Sequence, residues 1–143
     1  MARRIDWDNY FLEIAEAVKI KSPDIHLKVG CVLVSKINNR IVSTGYNGLV
    51  SGSNDDINWN DRELIRKYVI HAEANCLVYA EKINEPCKLY ITITPCKECI
   101  KLIASYNIKE IYYRDEYKDF SSTLNVCEFY NIKLINVKKF TTN

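Results

Sequence analysis

Residues 88–106 read KLYITITPCKECIKLIASY, and this stretch decides the fold. Lys88 to Thr94 is rich in β-branched and aromatic residues, which predicts a buried strand. Pro95 then opens a helix predicted over Lys97 to Tyr106, because proline is favoured at the start of a helix. A strand that leads directly into a helix is typical of proteins in which strands and helices alternate.

The segments on both sides of this stretch extend the alternation. We predict helices over Trp7 to Lys21, His71 to Ala80 and Thr123 to Tyr130, and strands over Val29 to Ser35, Ile41 to Tyr46, Glu110 to Tyr113 and Lys133 to Val137. The first two strands form a hairpin that turns at Asn38-Asn39. The order α-β-β-α-β-α-β-α-β predicts an α/β fold, a three-layer α-β-α sandwich around a mixed five-stranded sheet, in one domain over residues 1–143.

Composition limits the classes of function. The chain has 143 residues, of which 48% are hydrophobic, and a net charge of +2, which is too small to favour a nucleic-acid groove or a membrane-binding patch. It has no charged-then-apolar leader and no apolar run of about 18 residues, so we expect neither secretion nor a membrane span. Four cysteines without paired spacing, Cys31, Cys76, Cys87 and Cys127, are expected to be reduced and mostly buried, which fits the cytoplasm.

Cys96, Cys99 and His71 are the candidate metal ligands. Alone, the C-x-x-C pair is compatible with a redox motif or half of a structural zinc site, and a lone histidine with a surface or capping residue. However, the pair follows a strand at a helix N-terminus, where thiolates are favoured. His71 also begins a helix, 25 positions before Cys96, and a helix plus a returning strand fills that gap. We therefore expect two helix N-termini to meet around one zinc ion.

Three protein ligands leave one corner of a tetrahedral zinc site open for water. Glu73, two residues after His71, is the candidate proton shuttle for that water; the alternatives are a fourth zinc ligand or a carboxylate that compensates the helix dipole. The pattern H-x-E followed by P-C-x-x-C is typical of zinc-dependent nucleobase deaminases. A non-enzymatic protein with a structural zinc remains the competing interpretation.

Six motifs carry a resemblance to a known family: WDNYFLEIA (7–15), VGCVLV (29–34), GYNG (45–48), NDDINW (54–59), HAEAN (71–75) and TPCKECIKLI (94–103). From about Trp7 to about Asn136, the chain resembles the deoxycytidylate (dCMP) deaminases of the cytidine deaminase superfamily. The resemblance implies zinc on His71, Cys96 and Cys99 with Glu73 as proton shuttle. It also implies hydrolysis of dCMP to dUMP and ammonia, which supplies dUMP for thymidylate synthesis.

The resemblance further implies roles for residues that bind nucleotides. Asn47 would bind the sugar hydroxyl, the backbone of Ala72 the base carbonyl, and Tyr117 would close over the substrate. The family is usually oligomeric, often hexameric, and many members respond to the effectors dCTP and dTTP. The long loop from Asn47 to Asn60 is the expected effector or nucleotide loop, through Gly48, Gly52, Asn54 and Asp55, and the adjacent Asp55 and Asp56 suit Mg²⁺ bound with a nucleotide effector.

The chain departs from the family at some positions, and several alternatives stay open. His26 and Leu27 are larger and less polar than the family's residues there, and Ser53 stands where the family usually has a cysteine. The substrate could also be dCTP, free cytidine or a base in nucleic acid; the last requires a basic, aromatic channel. The candidate phosphate ligands are Arg3, Arg4, Lys21, Lys28 and Arg114, each with an ordinary surface charge as the alternative.

Overall fold

The computed structural model describes residues 3–81 and 83–141, and within them it contains every element that the sequence predicts and one more. The elements are α1 (Trp7–Lys19), β1 (Gly30–Ser35), β2 (Ile41–Tyr46), α2 (Arg62–Tyr68), α3 (Ala72–Tyr79), β3 (Cys87–Ile93), α4 (Lys97–Ser105), β4 (Glu110–Asp115), α5 (Phe120–Phe129) and β5 (Lys133–Asn136). The residues from Asn47 to Asn60 form a loop, as predicted.

Helix α2 is the element that the sequence patterns did not predict. It has seven residues, and only Ile65 among them is buried. One buried position gives no helical periodicity to detect. Its start is nevertheless encoded locally, because the Asp61 carboxylate caps the helix by accepting a 3.1 Å hydrogen bond from the backbone N–H of Leu64.

Two predicted helix boundaries were wrong by two or three residues, and the position of Pro95 relative to α4 was wrong. Helix α1 ends at Lys19 rather than Lys21, and α5 begins at Phe120 rather than Thr123. Pro95 does not lie inside α4: Cys96 is the N-cap, so the proline precedes the helix. Its fixed backbone ends the strand rather than starting the helix.

The sheet has the strand order β2-β1-β3-β4-β5. Strand β1 is antiparallel to both β2 and β3, whereas β3, β4 and β5 are parallel to one another. The antiparallel pair β1–β2 is the predicted hairpin, and the parallel strands are joined by α4 and α5. The mixed five-stranded sheet is therefore confirmed.

Helices cover both faces of the sheet, which confirms the three-layer architecture. Side chains alternate along each central strand, so that Cys31 and Leu33 of β1 pack under α3 and α4, while Val32 and Val34 pack under α1. Helix α1 covers this second face with Phe11, Leu12 and Ala15. The four cysteines expected to be reduced, Cys31, Cys76, Cys87 and Cys127, are buried and free. Within the described residues, no helix is long and apolar enough to cross a membrane.

The ends of four strands meet at one end of the sheet. Strands β2, β3 and β4 end there, and β1, which runs antiparallel to β2 and β3, begins there. Helices α3 and α4 start at the same end of the sheet. The residues that flank these strands and begin these helices are therefore brought close together.

Candidate functional site

His71, Cys96 and Cys99 form a cluster whose ligand atoms all lie within 4.8 Å of one another. The Nδ1 atom of His71 lies 3.2 Å from Sγ of Cys99 and 3.6 Å from Sγ of Cys96. His71 is the N-cap of α3 and Cys96 is the N-cap of α4. The structure thus brings the three predicted ligands together at two helix starts, as the sequence indicated.

The geometry of this cluster fits a zinc ion. Zinc binds imidazole nitrogen at about 2.1 Å and thiolate sulfur at about 2.3 Å, so two corners of a tetrahedral site lie about 3.6 Å apart. The two measured N–S separations, 3.2 and 3.6 Å, are close to that value. One imidazole and two thiols are also the donor set that zinc prefers. No fourth His, Cys, Asp or Glu joins the cluster in residues 3–81 and 83–141, so one corner is left for a non-protein ligand.

The two thiols of the cluster differ in acidity. A hydrogen bond from Cys99 lowers the pKa of Cys96 to about 4, and further hydrogen bonding with His71 acts in the same direction. The same hydrogen bond, together with burial, raises the pKa of Cys99. Zinc binding requires both thiols to be deprotonated, so it would release the remaining proton from Cys99.

Glu73 lies in the first turn of α3 and is only 3% exposed. Burial raises the pKa of its carboxyl, and the neighbouring His71 and Cys99 offset that effect only in part. A glutamate that merely compensates a helix dipole would normally be solvated at the surface. Its burial beside the cluster favours a chemical role instead.

A cavity of about 350 Å³ opens in front of the cluster. His71, Ala72, Glu73 and Cys96 form its metal end. Its apolar walls come from the segment before β1, from α2 and the residue after it, and from β3; they are made by Leu27, Val29, Ile65, Val69, Ile91 and Ile93. A concave, mostly apolar pocket with a few convergent polar groups is typical of a small-molecule site.

Asn47, the predicted sugar ligand, is buried and lines the cavity. Its Oδ1 accepts a 2.8 Å hydrogen bond from the backbone N–H of Val29, and its Nδ2 donates a 2.8 Å bond to the carbonyl of Leu27. Asn47 therefore ties the chain before β1 to the end of β2. One Nδ2 hydrogen is left to face a ligand.

Ala72 and Tyr117, the other predicted substrate residues, also line the cavity. Ala72 is the first residue of α3, and the His71 side chain makes no capping hydrogen bond to that helix. Backbone N–H groups in a first turn have no partner within the helix, so they are available to a carbonyl oxygen. Tyr117 lies in the loop after β4, where its backbone N–H donates a 2.8 Å hydrogen bond to Oγ1 of Thr94.

The predicted effector residues Gly48, Gly52, Asn54 and Asp55 are not among the residues that line this cavity. Gly48 pairs with Ile70 through two backbone hydrogen bonds, whereas Gly52, Asn54 and Asp55 are exposed. Asp55 contributes its backbone carbonyl to the indole N–H of Trp59. An effector role for this loop, with or without Mg²⁺, stays a prediction.

The basic residues of the cavity are not those selected from the sequence. Arg62, Arg66 and Lys118 line it, whereas none of the five sequence candidates does. Arg114 donates to Asn9, Lys28 to the carbonyl of Ser22, and Arg3 to that of Thr141. Two of the lining cations lie on α2, the helix that the sequence patterns missed, so no signal in those patterns identified them.

Arg62 is held by a buried carboxylate. Its guanidinium donates to both carboxylate oxygens of Asp24, at 3.1 and 2.9 Å, and to the carbonyl of Trp59. Burial alone would raise the pKa of Asp24, but Arg62 and the backbone N–H groups of His26 and Leu27 outweigh it and hold that pKa below its usual value. This pair joins α2 to the chain before β1. His26 adds a 2.8 Å contact with Asn60.

Known proteins share this fold and these motifs. A family model described as the cytidine and deoxycytidylate deaminase zinc-binding region matches residues 5–115. The deoxycytidylate deaminase of Mus musculus is 32% identical over 145 residues, which cover 96% of this chain and 81% of the mouse protein. A crystal structure of dCMP deaminase from the cyanophage S-TIM5, in apo form, gives a TM-score of 0.76 at 28% identity and covers 94% of this chain and 100% of its own.

A second structure of the cyanophage enzyme, in complex with dCMP and dUMP, gives a TM-score of 0.74 at 27% identity and covers 94% of this chain and 99% of its own. The family match spans most of the chain and includes all three residues of the metal cluster. The resemblance to deoxycytidylate deaminases is thereby confirmed: the chain belongs to the cytidine and deoxycytidylate deaminase family.

Proposed function

We propose that this protein catalyses the zinc-dependent hydrolysis of dCMP to dUMP and ammonia. The observation that carries the proposal is the cluster of one imidazole and two thiols with a buried glutamate beside it, at the end of a cavity. The mouse relative is named a deoxycytidylate deaminase, and the cyanophage enzyme binds dCMP and dUMP, which supports this substrate. The dUMP formed would supply thymidylate synthesis.

His71, Cys96 and Cys99 are the proposed zinc ligands, with water at the fourth corner. Zinc in such a site lowers the pKa of a bound water to about 7 and so supplies a nucleophile at neutral pH. The first turn of α4 holds two of these ligands in place: the partly exposed thiol of Cys96 at the N-cap and the buried thiol of Cys99. Helix α3 positions the imidazole from the other side.

Glu73 is the proposed proton carrier. Its carboxylate takes the proton from the attacking water and delivers it to the ring nitrogen N3 of cytosine, next to the carbon that is attacked. Glu73 then takes the proton from the hydroxyl now bound to that carbon and passes it to the amino group, so that the carbonyl of uracil forms as ammonia leaves. Burial beside the cluster keeps bulk water from competing for these transfers.

The remaining polar groups are proposed to orient the substrate. The backbone N–H of Ala72 donates to the base carbonyl, and the free Nδ2 hydrogen of Asn47 donates to the sugar hydroxyl. Tyr117 covers the nucleotide from the loop after β4. All three residues line the cavity, which supports these roles.

Other substrates and regulation are secondary proposals. The relatives favour a monophosphate over dCTP, and free cytidine would leave Arg66 and Lys118 of the cavity lining without an anionic partner among the described residues. The net charge of +2 does not favour a base in nucleic acid. A homo-oligomer, with a hexamer as the first expectation, and control by dCTP and dTTP through the loop after Asn47 follow only from the family resemblance.

A substrate panel tests the proposal. The zinc-loaded protein is incubated separately with dCMP, dCTP, cytidine and single-stranded DNA, and ammonia release is measured. We expect the highest kcat/KM for dCMP. Absence of ammonia from all four would refute an enzymatic role, and a preference for one of the other three would refute the substrate.

A further inference from the structure

The hydroxyl of Thr123, on α5, contacts the residue that precedes the Cys96 ligand. Thr123 is only 2% exposed, and its Oγ1 donates a 2.7 Å hydrogen bond to the backbone carbonyl of Pro95, across 28 residues of sequence. A threonine in a helix commonly donates to the carbonyl one turn before it, which for Thr123 is that of Asp119. Because a hydroxyl has one hydrogen to donate, the contact with Pro95 replaces that local bond.

This hydrogen bond fixes the one soft backbone rotation of Pro95. The proline ring holds φ, so the direction of the peptide between Pro95 and Cys96 depends on ψ of Pro95. That peptide is planar, so a partner on the Pro95 carbonyl also orients the amide N and the Cα of Cys96. Pro95 is buried and has no N–H, which leaves its carbonyl as its one backbone group able to form a hydrogen bond.

Cys96 depends on such support more than the other thiol ligand does. Cys99 lies inside α4, so the helix itself sets its backbone position. Cys96 is the N-cap, with extended backbone angles (φ −74°, ψ 165°) that the helix does not impose. Its carbonyl accepts a 3.0 Å hydrogen bond from the N–H of Ile100, which holds it on the helix side. The hydrogen bond from Thr123 holds the peptide on the strand side.

The segment from β4 to α5 holds both residues that precede Cys96. The backbone N–H of Thr94 donates a 2.9 Å hydrogen bond to the carbonyl of Asp115, and its Oγ1 accepts one of 2.8 Å from the N–H of Tyr117. Thr123 adds the contact with the next residue. One network of hydrogen bonds therefore joins the loop that carries Tyr117 to the backbone of a thiol ligand.

We propose that Thr123 is a positioning residue for zinc binding, which holds the Cys96 thiol toward His71 and Cys99 through the carbonyl of Pro95. Thr123 does not line the cavity, so it acts through the backbone rather than on the substrate. Polar groups that orient metal ligands typically contribute tenfold or more to metal affinity. The assignment rests on the proposed zinc site and does not depend on the identity of the substrate.

Two substitutions separate the hydrogen bond from side-chain packing. Thr123→Val keeps the branched shape and removes the hydroxyl, whereas Thr123→Ser keeps the hydroxyl and removes the methyl group. Ser43→Ala is the matched control, because the Ser43 hydroxyl also donates a 2.7 Å hydrogen bond to a backbone carbonyl of another element, that of Cys76 on α3. Zinc affinity is measured by competition with a chromogenic chelator, and the visible spectrum of the Co²⁺-loaded proteins reports the geometry of the ligands.

We expect Thr123→Val to weaken zinc binding by about tenfold and to alter the Co²⁺ spectrum. Thr123→Ser and Ser43→Ala should retain the affinity and the spectrum of the wild type. Wild-type values in Thr123→Val would overturn the assignment. An equal loss in Thr123→Ser, which would indicate packing, or in Ser43→Ala, which would indicate a general loss of stability, would do the same. If Thr123→Val does not fold, Thr123→Ser decides: an altered spectrum overturns the assignment, and a wild-type spectrum supports it.

Both readouts are taken without substrate, so they separate this assignment from the proposed function. If Thr123→Val alone loses zinc affinity but the wild type releases no ammonia from dCMP, the deaminase proposal fails and the role of Thr123 stands. If the wild type deaminates dCMP and Thr123→Val binds zinc as tightly as the wild type, the reverse holds. A wild type that binds no zinc would overturn both.

Discussion

The backbone N–H of Tyr117 donates a 2.8 Å hydrogen bond to Oγ1 of Thr94, so the residue that follows β3 fixes the loop that follows β4. Thr94 is buried, and its own backbone N–H donates to the carbonyl of Asp115. Two neighbouring strand ends are thereby joined at the cavity wall. The position of Tyr117 over the cavity depends on this hydroxyl.

We expect Thr94→Val to raise KM for dCMP several-fold with little change in kcat, because the loop with Tyr117 loses its anchor. The unpaired backbone N–H should also cost about 1–2 kcal/mol of stability. Steady-state kinetics and urea unfolding provide the two readouts. Thr92→Val is the matched control, since its hydroxyl accepts a 3.2 Å bond from the N–H of Gly30 and it does not line the cavity. Equal KM values for the two variants would contradict the anchoring role.

Gly45 allows α3 to pack directly on β2. A Cβ atom at this position would lie 2.4 Å from the backbone N of Cys76 and 2.5 Å from the carbonyl O of Ala72. Gly45→Ala should therefore displace α3, which carries Glu73, and lower the free energy of unfolding by about 3 kcal/mol. Gly48→Ala is the control, since its nearest contact is a Pro23 side-chain atom at 3.3 Å. Thermal unfolding of both variants measures this effect. Similar stabilities of the two variants would contradict the prediction that a side chain at position 45 displaces α3.

Arg62→Met should destabilise the protein by about 3 kcal/mol at pH 7, because the buried Asp24 carboxylate loses its partner. The wild-type pKa of Asp24 is held below 3.8, so the stability from this pair is present above that pH and is lost as the pH falls through the native pKa. The difference between variant and wild type should therefore shrink between pH 7 and pH 3. Urea unfolding at both pH values, with EDTA throughout, measures it. A difference that grows on acidification would contradict this pairing.

Metal content tests the ligand set separately from activity. We expect about one zinc per chain in the wild type and almost none in Cys96→Ser, because the site retains only two protein ligands. Cys87→Ser should keep its zinc, since Cys87 lies at the start of β3, packs in the core and donates its thiol hydrogen to the carbonyl of Glu85. Elemental analysis after dialysis against a weak chelator measures both. Full zinc occupancy in Cys96→Ser would rule out this cysteine as a ligand.

The sheet and the metal cluster could be predicted because their signals are local. Buried strands such as β1 appear as β-branched runs, and the spacing of Cys96 and Cys99 at a helix start is visible in seven residues. His71 could be added because a helix and a strand fill the gap to Cys96. In these cases the residues that determine the structure are close in sequence or related by a regular period.

The basic residues of the cavity could not be predicted in the same way. The side of α2 that carries Arg62 and Arg66 is held to the chain before β1 by Asp24, a contact across 38 residues. Helix α2 itself has one buried residue and no hydrophobic period. Arg114, a candidate from the sequence, instead donates a hydrogen bond to Asn9 and forms an ion pair with Glu13, both on α1. Tertiary contacts, rather than residue type, decide which cations reach the site.

The proton-transfer role of Glu73 is the central claim, and turnover of dCMP by zinc-loaded Glu73→Gln tests it most directly. Glutamine keeps the size of the side chain but cannot accept the proton from water. We predict that this variant retains one zinc per chain while kcat falls by at least about 100-fold, the smaller end of the effect of general acid–base catalysis. A zinc-loaded variant that forms dUMP at a rate close to that of the wild type would contradict the mechanism.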